Sequence, residues 1–138
     1  MNGIKEINLK KINTEKGNIY KFLSRKDKFY KKFGEVYFSE IKKNKIKGWN
    51  FHTINKCHVS VIAGKVLFNF LKKKKNKFIH KKILLSSKKS KMIIISPKIY
   101  FSFKGIGTNN LIVNFTENPH SKLESKKCEV VNGIKIPN

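Results

Sequence analysis

The chain predicts an all-β fold, a sandwich or barrel of short antiparallel strands. Three observations carry that reading. Apolar and polar residues alternate with period 2 in one stretch after another, the pattern of a half-buried strand. Clusters of Gly, Asn, Ser and Pro separate these stretches, giving roughly eight to ten strands at spacings of about 8–12 residues. Little of the chain reads as helix. A hydrophobic content of 39% in 138 residues suffices for a single domain with its own core.

Residues 1–16 alternate weakly at Ile4, Ile7, Leu9 and Ile12 and read as an extended arm with one edge strand. Gly17-Asn18 is a turn signal, and a short strand, Ile19–Leu23, follows. Ser24–Phe33 is basic and aromatic, and Ser24 with Asp27 suggests a single capped helical turn. Gly34 opens a strand over Glu35–Ile41, with Glu35, Tyr37 and Ser39 on one face and Val36, Phe38 and Glu40 on the other. Lys42–Lys45 is a turn.

Residues 46–64 form the organising stretch. Trp49 and Phe51 alternate with Asn50 and His52, so two aromatics face one way and an amide and an imidazole the other. After a polar break, Cys57, Val59, Val61 and Ala63 alternate with His58, Ser60 and Ile62. Gly64 closes that strand, and the next begins at Lys65. A strand that commits one face to Asn and His either satisfies them internally or presents them in a cavity.

Beyond Phe70, the run Lys72–Lys77 reads as a solvated hairpin loop, and Phe78–Leu85 as another strand. Met92–Ile95 is continuously apolar, as in a strand buried on both faces. Ser96-Pro97 ends it, Ile99–Phe103 is aromatic-rich, and Leu111–Phe115 is a last strong strand. The glycine-rich turn between these two, GIGTNN, is no phosphate loop, because no helix follows and the Lys-Ser/Thr ending is absent. The organisation is an arm over 1–16, one barrel domain over 17–127 and an irregular C-terminal tail over 128–138.

The formal net charge of +24 invites nucleic acid as a partner. Arg25 is the only arginine, however, and bidentate reading of bases and phosphates favours Arg. Lys, Asn and Ile are enriched together, as an AT-biased coding sequence produces, so the charge is read as a solvated surface that attracts nucleic acid only non-specifically. No apolar run approaches the ~20 residues of a membrane span, and the N-terminal stretch is polar, so no membrane association and a cytoplasmic location are expected. Cys57 and Cys128 read as reduced thiols. His52 and His58 could touch one metal across a hairpin, but an acid and a third histidine are missing nearby, so neither a metal nor another cofactor is expected.

The order of the elements and several words in them resemble one family. GEVYFSEI, KIKGWNFH, AGKVLFNF, IIISPKIYFSFKGIG and NLIVNFTENPHSKLES look like the dTDP-4-dehydrorhamnose 3,5-epimerases, over about residues 17–127. The resemblance implies a double-stranded β-helix (a cupin, or jelly-roll, barrel), a homodimer and a nucleotide-activated keto-sugar as substrate. It implies a histidine base that takes a proton beside the 4-keto group, an acid that orients it, a lysine that steadies the enolate and a tyrosine that returns a proton from the opposite face.

Carried onto this sequence, His52 matches the base. The family's lysine falls on Cys57, its tyrosine within Glu117-Asn118-Pro119, and its orienting aspartate on nothing, since Asp27 is the only aspartate. Tyr37 and Tyr100 are the remaining hydroxyls for a proton donor. Glu40, Glu117 or a backbone carbonyl are the candidates to orient His52. Trp49, Asn50, His58, Lys47 and Lys104 are the expected substrate contacts, Trp49 as a stacking platform and the lysines by charge. His80 and His120 flank loops and carry no role.

Other readings stand beside this one. Related cupins with a histidine-x-histidine pair are sugar 3,4-ketoisomerases, and here that pair would be Asn50 and His52. An inactive cupin that only binds sugar nucleotide and a basic nucleic-acid-binding β-barrel are the alternatives of other classes. For each residue the plain structural role competes: Trp49, Tyr37 and Tyr100 as core aromatics, His58 as a satisfied buried side chain.

Overall fold

The computed structural model describes residues 1–127 and, beyond them, the backbone of Val130–Val131 and Ile134–Lys135. Its strands are β1 (Ile4–Asn8), β2 (Lys10–Ile12), β3 (Ile19–Lys21), β4 (Glu35–Lys42), β5 (Ile46–His52), β6 (Cys57–Ala63) and β7 (Lys65–Lys74). They continue with β8 (Lys77–Ser86), β9 (Lys91–Ile95), β10 (Tyr100–Gly105), β11 (Asn109–Thr116), β12 (Ser125–Lys127), β13 (Val130–Val131) and β14 (Ile134–Lys135). No helix occurs among the described residues, so none there is long and apolar enough to cross a membrane. The rest of the expected tail, 128–138, lies outside the described residues.

Two five-stranded sheets face each other, one in the order β1-β9-β6-β11-β4 and the other β12-β5-β10-β7-β8. Neighbouring strands within both sheets run antiparallel. From β4 to β12 the chain passes back and forth between the sheets, with only the β7–β8 hairpin staying in one of them. That is the jelly-roll, or cupin, barrel. β1 closes one edge by pairing along its length with β9, and Ile4 joins the core.

The period-2 pattern determines which residues face in. Val59, Val61, Ile93, Ile95 and Ile112 from the first sheet meet Val66, Phe68, Phe70, Ile83, Leu85 and Phe101 from the second. β9 lies between β1 and β6 and is buried on both faces over Met92–Ile95, with Ile93 and Ile95 facing the core between the sheets, as its unbroken apolar run requires. Gly64 is the corner where the chain leaves one sheet for the other. Its φ of +77° favours glycine, and a Cβ there would collide with the carbonyl oxygen of Asn109. Asn110 ties the corner together: its Oδ1 accepts from Lys65 N at 3.0 Å, and its Nδ2 donates to the carbonyls of Ile41 at 2.9 Å and Gly107 at 2.7 Å.

Three local expectations are corrected. Residues 1–16 hold two strands rather than one, β1 paired with β9 and β2 paired with β3. Lys72–Lys77 is not a loop. Lys72, Lys73 and Lys74 continue β7 and pair with Ile79, Phe78 and Lys77, leaving only Lys75-Asn76 as the turn. β10 accompanies β7 no further than Leu71, so the tip is a two-stranded ribbon. Lys73, Lys74 and Lys77 are exposed on this ribbon, which is why charge hid the strand. The segment 24–33 is not a helical turn. Asp27 Oδ2 accepts from Ser24 N at 2.6 Å and Tyr30 N donates to Asp27 O at 3.0 Å, giving successive turns. One turn is too short to pay helix nucleation, and the segment instead lays Phe29 and Tyr30 against His58 and Phe115.

Candidate active site

A cavity of about 490 Å³ opens between the two sheets. Tyr37 and Ser39 of β4, Val59 of β6, and Ile112 and Asn114 of β11 line it from one side. Lys47, Gly48, Asn50 and His52 of β5, with Phe101 and Phe103 of β10, line it from the other. The alternation along β5 therefore presents Asn50 and His52 inward. Period 2 likewise puts Tyr37 and Ser39 together, and Phe101 with Phe103.

His52 is 8% exposed, and its ring stacks on Phe101 with centroids 5.8 Å apart. Its Nδ1 lies 2.9 Å from Oε2 of Glu124, itself 6% exposed. The other carboxylate oxygen accepts from the backbone of Asn55 at 2.8 Å and of Ile54 at 3.2 Å. Burial alone would raise the Glu124 pKa, but the hydrogen bond from His52 and those from the Asn55 and Ile54 backbone outweigh it and hold the carboxyl below its usual value. Glu124 is thus a carboxylate, His52 donates to it from Nδ1–H, and Nε2 is left as the basic nitrogen.

Tyr37 stands across the cavity from His52. Its hydroxyl oxygen accepts from Asn114 Nδ2 at 2.6 Å. Burial raises its pKa, with smaller contributions from Cys57 and Glu35, against the lowering bond from Asn114. The phenol therefore stays protonated at neutral pH and, with its oxygen already accepting, has its O–H free to donate. Lys47 brings a cation to the mouth, where Nζ donates to Ser39 Oγ at 3.0 Å and so spans from β5 to β4.

Of the residues expected in the site, His52, Tyr37, Asn50 and Lys47 come together around this cavity. The structure takes the other four elsewhere. Trp49, 4% exposed, packs with Leu71, Phe78 and Tyr100 on the opposite face of its sheet. Tyr100 is on that same face, 4.4 Å centroid to centroid from Phe51, because it is Phe101 that turns inward. Lys104 follows Phe103 and alternates away from the cavity with it. His58, fully buried, points to the outer side of the first sheet, against Phe29 and Phe115. Burial lowers its pKa, opposed by Glu117 and the backbone of Phe115 and Phe29. Neither expected partner of His52 serves: Glu40 is exposed on β4, and Glu117 lies 3.4 Å from Lys56 Nζ.

Sequence reasoning missed Glu124 and His120, which both sit on the connection from β11 to β12 and reach the site by crossing between the sheets. The word SKLES held the acid, yet it lies 72 residues from His52, with no local spacing to link them. At the family's lysine position, Cys57 is a free thiol in the core, pushed up to about 12 by burial above all. Among the described residues no group of three or more His, Cys, Asp or Glu side chains could hold a metal ion.

No protein-family profile and no curated protein sequence matches the chain. Solved structures do. A dTDP-sugar isomerase from Desulfovibrio desulfuricans superposes with a TM-score of 0.85 at 23% identity, covering 92% of this chain and 84% of that one. A dTDP-6-deoxy-D-glucose-3,5-epimerase from Legionella pneumophila, in complex with dTDP-4-keto-L-rhamnose, gives 0.80 at 16% identity, over 92% and 73% of the two chains. A histidine-to-asparagine variant of a 3,4-ketoisomerase from Thermoanaerobacterium thermosaccharolyticum, in complex with TDP-4-keto-6-deoxyglucose, gives 0.79 at 16% identity, over 93% and 89%. The chain shares the jelly-roll fold of these proteins.

Proposed function

We propose that the protein is a nucleotide-sugar epimerase of the 3,5-epimerase type, acting on a dTDP-linked 4-keto sugar. The observation that carries the reading is the buried His52–Glu124 pair on one wall of the cavity with a neutral tyrosine, Tyr37, on the other. Inverting a carbon beside a ketone needs a base on one face of the sugar and an acid on the opposite face. His52 Nε2 takes the C–H proton, and the electron pair delocalises into the carbonyl as an enolate. Glu124 stabilises the imidazolium that forms. Lys47 offers positive charge to the enolate oxygen or the diphosphate. Collapse of the enolate draws a proton from the Tyr37 hydroxyl to the other face of the same carbon, inverting it.

The likeness of fold to dTDP-sugar epimerases and isomerases agrees with this chemistry. The 3,4-ketoisomerase reading shares His52 but has Asn50 where the paired histidine is expected.

Tyr37→Phe separates the two. With dTDP-4-keto-6-deoxyglucose in heavy water, the variant should still wash deuterium into the carbon that His52 deprotonates. Net epimerisation, followed by NMR, should fall about 10²–10⁴-fold. Epimerisation at the wild-type rate would remove Tyr37 as the acid, and a 3-keto product would select the isomerase.

A further inference from the structure

Asn114 is a buried amide on the cavity wall that the reaction described above leaves without a task. It sits on β11 directly across from Tyr37 of β4, and it is 5% exposed. Its same-face neighbours are apolar. Ile112 lies two residues back on β11, and Val59 stands across from Asn114 on β6. Only half of the amide is satisfied there. Nδ2 donates to the Tyr37 hydroxyl at 2.6 Å, while Oδ1 is buried with no hydrogen-bond partner among the described residues. The Cys57 thiol nearby is a weak hydrogen-bonding group that burial keeps protonated. A half-paired amide in a wall of Val and Ile works against the fold, so its use lies in the contact with Tyr37.

Tyr37 needs such a contact. At 39% exposed it is reached by water, and its ring is not fixed by packing alone. Among the described residues its hydroxyl makes one hydrogen bond, to Asn114, and the cross-strand pairing keeps the two side chains together. The same contact bears on the chemistry. As the phenol proton leaves for carbon, negative charge develops on the oxygen. An N–H already aimed at that oxygen holds the phenolate more strongly than the phenol. Burial, Cys57 and Glu35 all raise the Tyr37 pKa, and Asn114 is the group that lowers it.

We infer that Asn114 is a positioning residue for the proton donor, its Nδ2–H fixing the Tyr37 hydroxyl on the cavity wall and stabilising the phenolate left when the proton goes to carbon. This rests on the epimerase reading. The transfers balance. The C–H proton goes to His52 Nε2 and from there to solvent. The Tyr37 O–H proton forms the new C–H bond with the enolate electron pair. The phenolate, held by Asn114, then takes a proton from water.

Asn114→Leu tests it, since leucine keeps the volume in an apolar setting and removes the N–H. With dTDP-4-keto-6-deoxyglucose in heavy water, deuterium wash-in at the His52 face should persist, which also reports an intact fold. Net epimerisation should fall about 10²-fold, the lower end for losing a donor aimed at developing charge. The Tyr37 phenol, followed by ultraviolet phenolate absorbance as the difference from Tyr37→Phe, should titrate at higher pH in the Leu variant. Epimerisation at the wild-type rate, or an unmoved titration, overturns the role of Asn114 and leaves the epimerase reading standing. A loss that takes wash-in with it assigns Asn114 to substrate binding or to the fold and overturns the positioning role. Absence of epimerisation in the unmodified protein overturns the two readings together.

Discussion

His52→Ala should abolish solvent-deuterium exchange into a dTDP-linked 4-keto sugar, a loss of about 10²–10⁴ or more in rate, while calorimetric binding of the nucleotide sugar stays nearly unchanged. The asymmetry follows from where His52 sits. It is one polar group on a cavity wall otherwise built by Phe101, Phe103, Asn50 and Lys47, so its removal takes little from the contact surface. No second imidazole shares its position: His58 faces away across the first sheet, and His120 is at the mouth. Full exchange by the variant would take His52 out of the mechanism.

Glu124→Gln should cost both rate and stability. The carboxylate receives three hydrogen bonds within 3.2 Å, from His52 Nδ1, Asn55 N and Ile54 N. An amide in its place can turn its NH₂ toward Nδ1, which must then accept. The ring proton moves to Nε2, and the base is lost without any change of shape. The exchange rate is expected to fall at least about 10²-fold. Charge-assisted bonds to a buried group contribute about 1–3 kcal/mol, so the urea midpoint at neutral pH should fall as well.

The pH dependence has a definite sign. The Glu124 pKa is lowered in the folded protein, where burial is outweighed by the bonds from His52, Asn55 and Ile54. Its stabilisation is therefore complete above the unfolded carboxylate value of about 4.3 and disappears as pH falls through the lower folded value. Glu124→Gln should flatten that acid limb of the urea-midpoint profile. An unaltered profile with an unaltered exchange rate would mean that the His52–Glu124 contact does no chemical or structural work.

What could be read from the sequence was whatever local periodicity encodes. The alternation in GWNFH put His52 and Asn50 on one face, and the alternation in EVYFSE put Tyr37 with Ser39, because side chains of a strand alternate whatever the tertiary context. Gly64 was legible as a break between strands for the same reason. Periodicity gives two faces but not which one is inward. His58 and Trp49 were therefore assigned to the site although their faces turn away from the cavity, and Tyr100 shared the error with Phe101 standing next to it. A register shift in β10 between Phe101 and Phe103 further blurs that strand's alternation. Glu124 was invisible for a different reason. Its partners are His52 and the loop at Ile54-Asn55, brought to it only when the connection from β11 to β12 crosses between the sheets.

The most direct test of the central claim is mass spectrometry of dTDP-4-keto-6-deoxyglucose incubated with the unmodified protein in heavy water. The account predicts a mass gain from deuterium at carbon beside the ketone, together with an epimerised product. Tight binding of the sugar nucleotide with no mass gain would contradict it and leave a jelly-roll protein that binds without turnover.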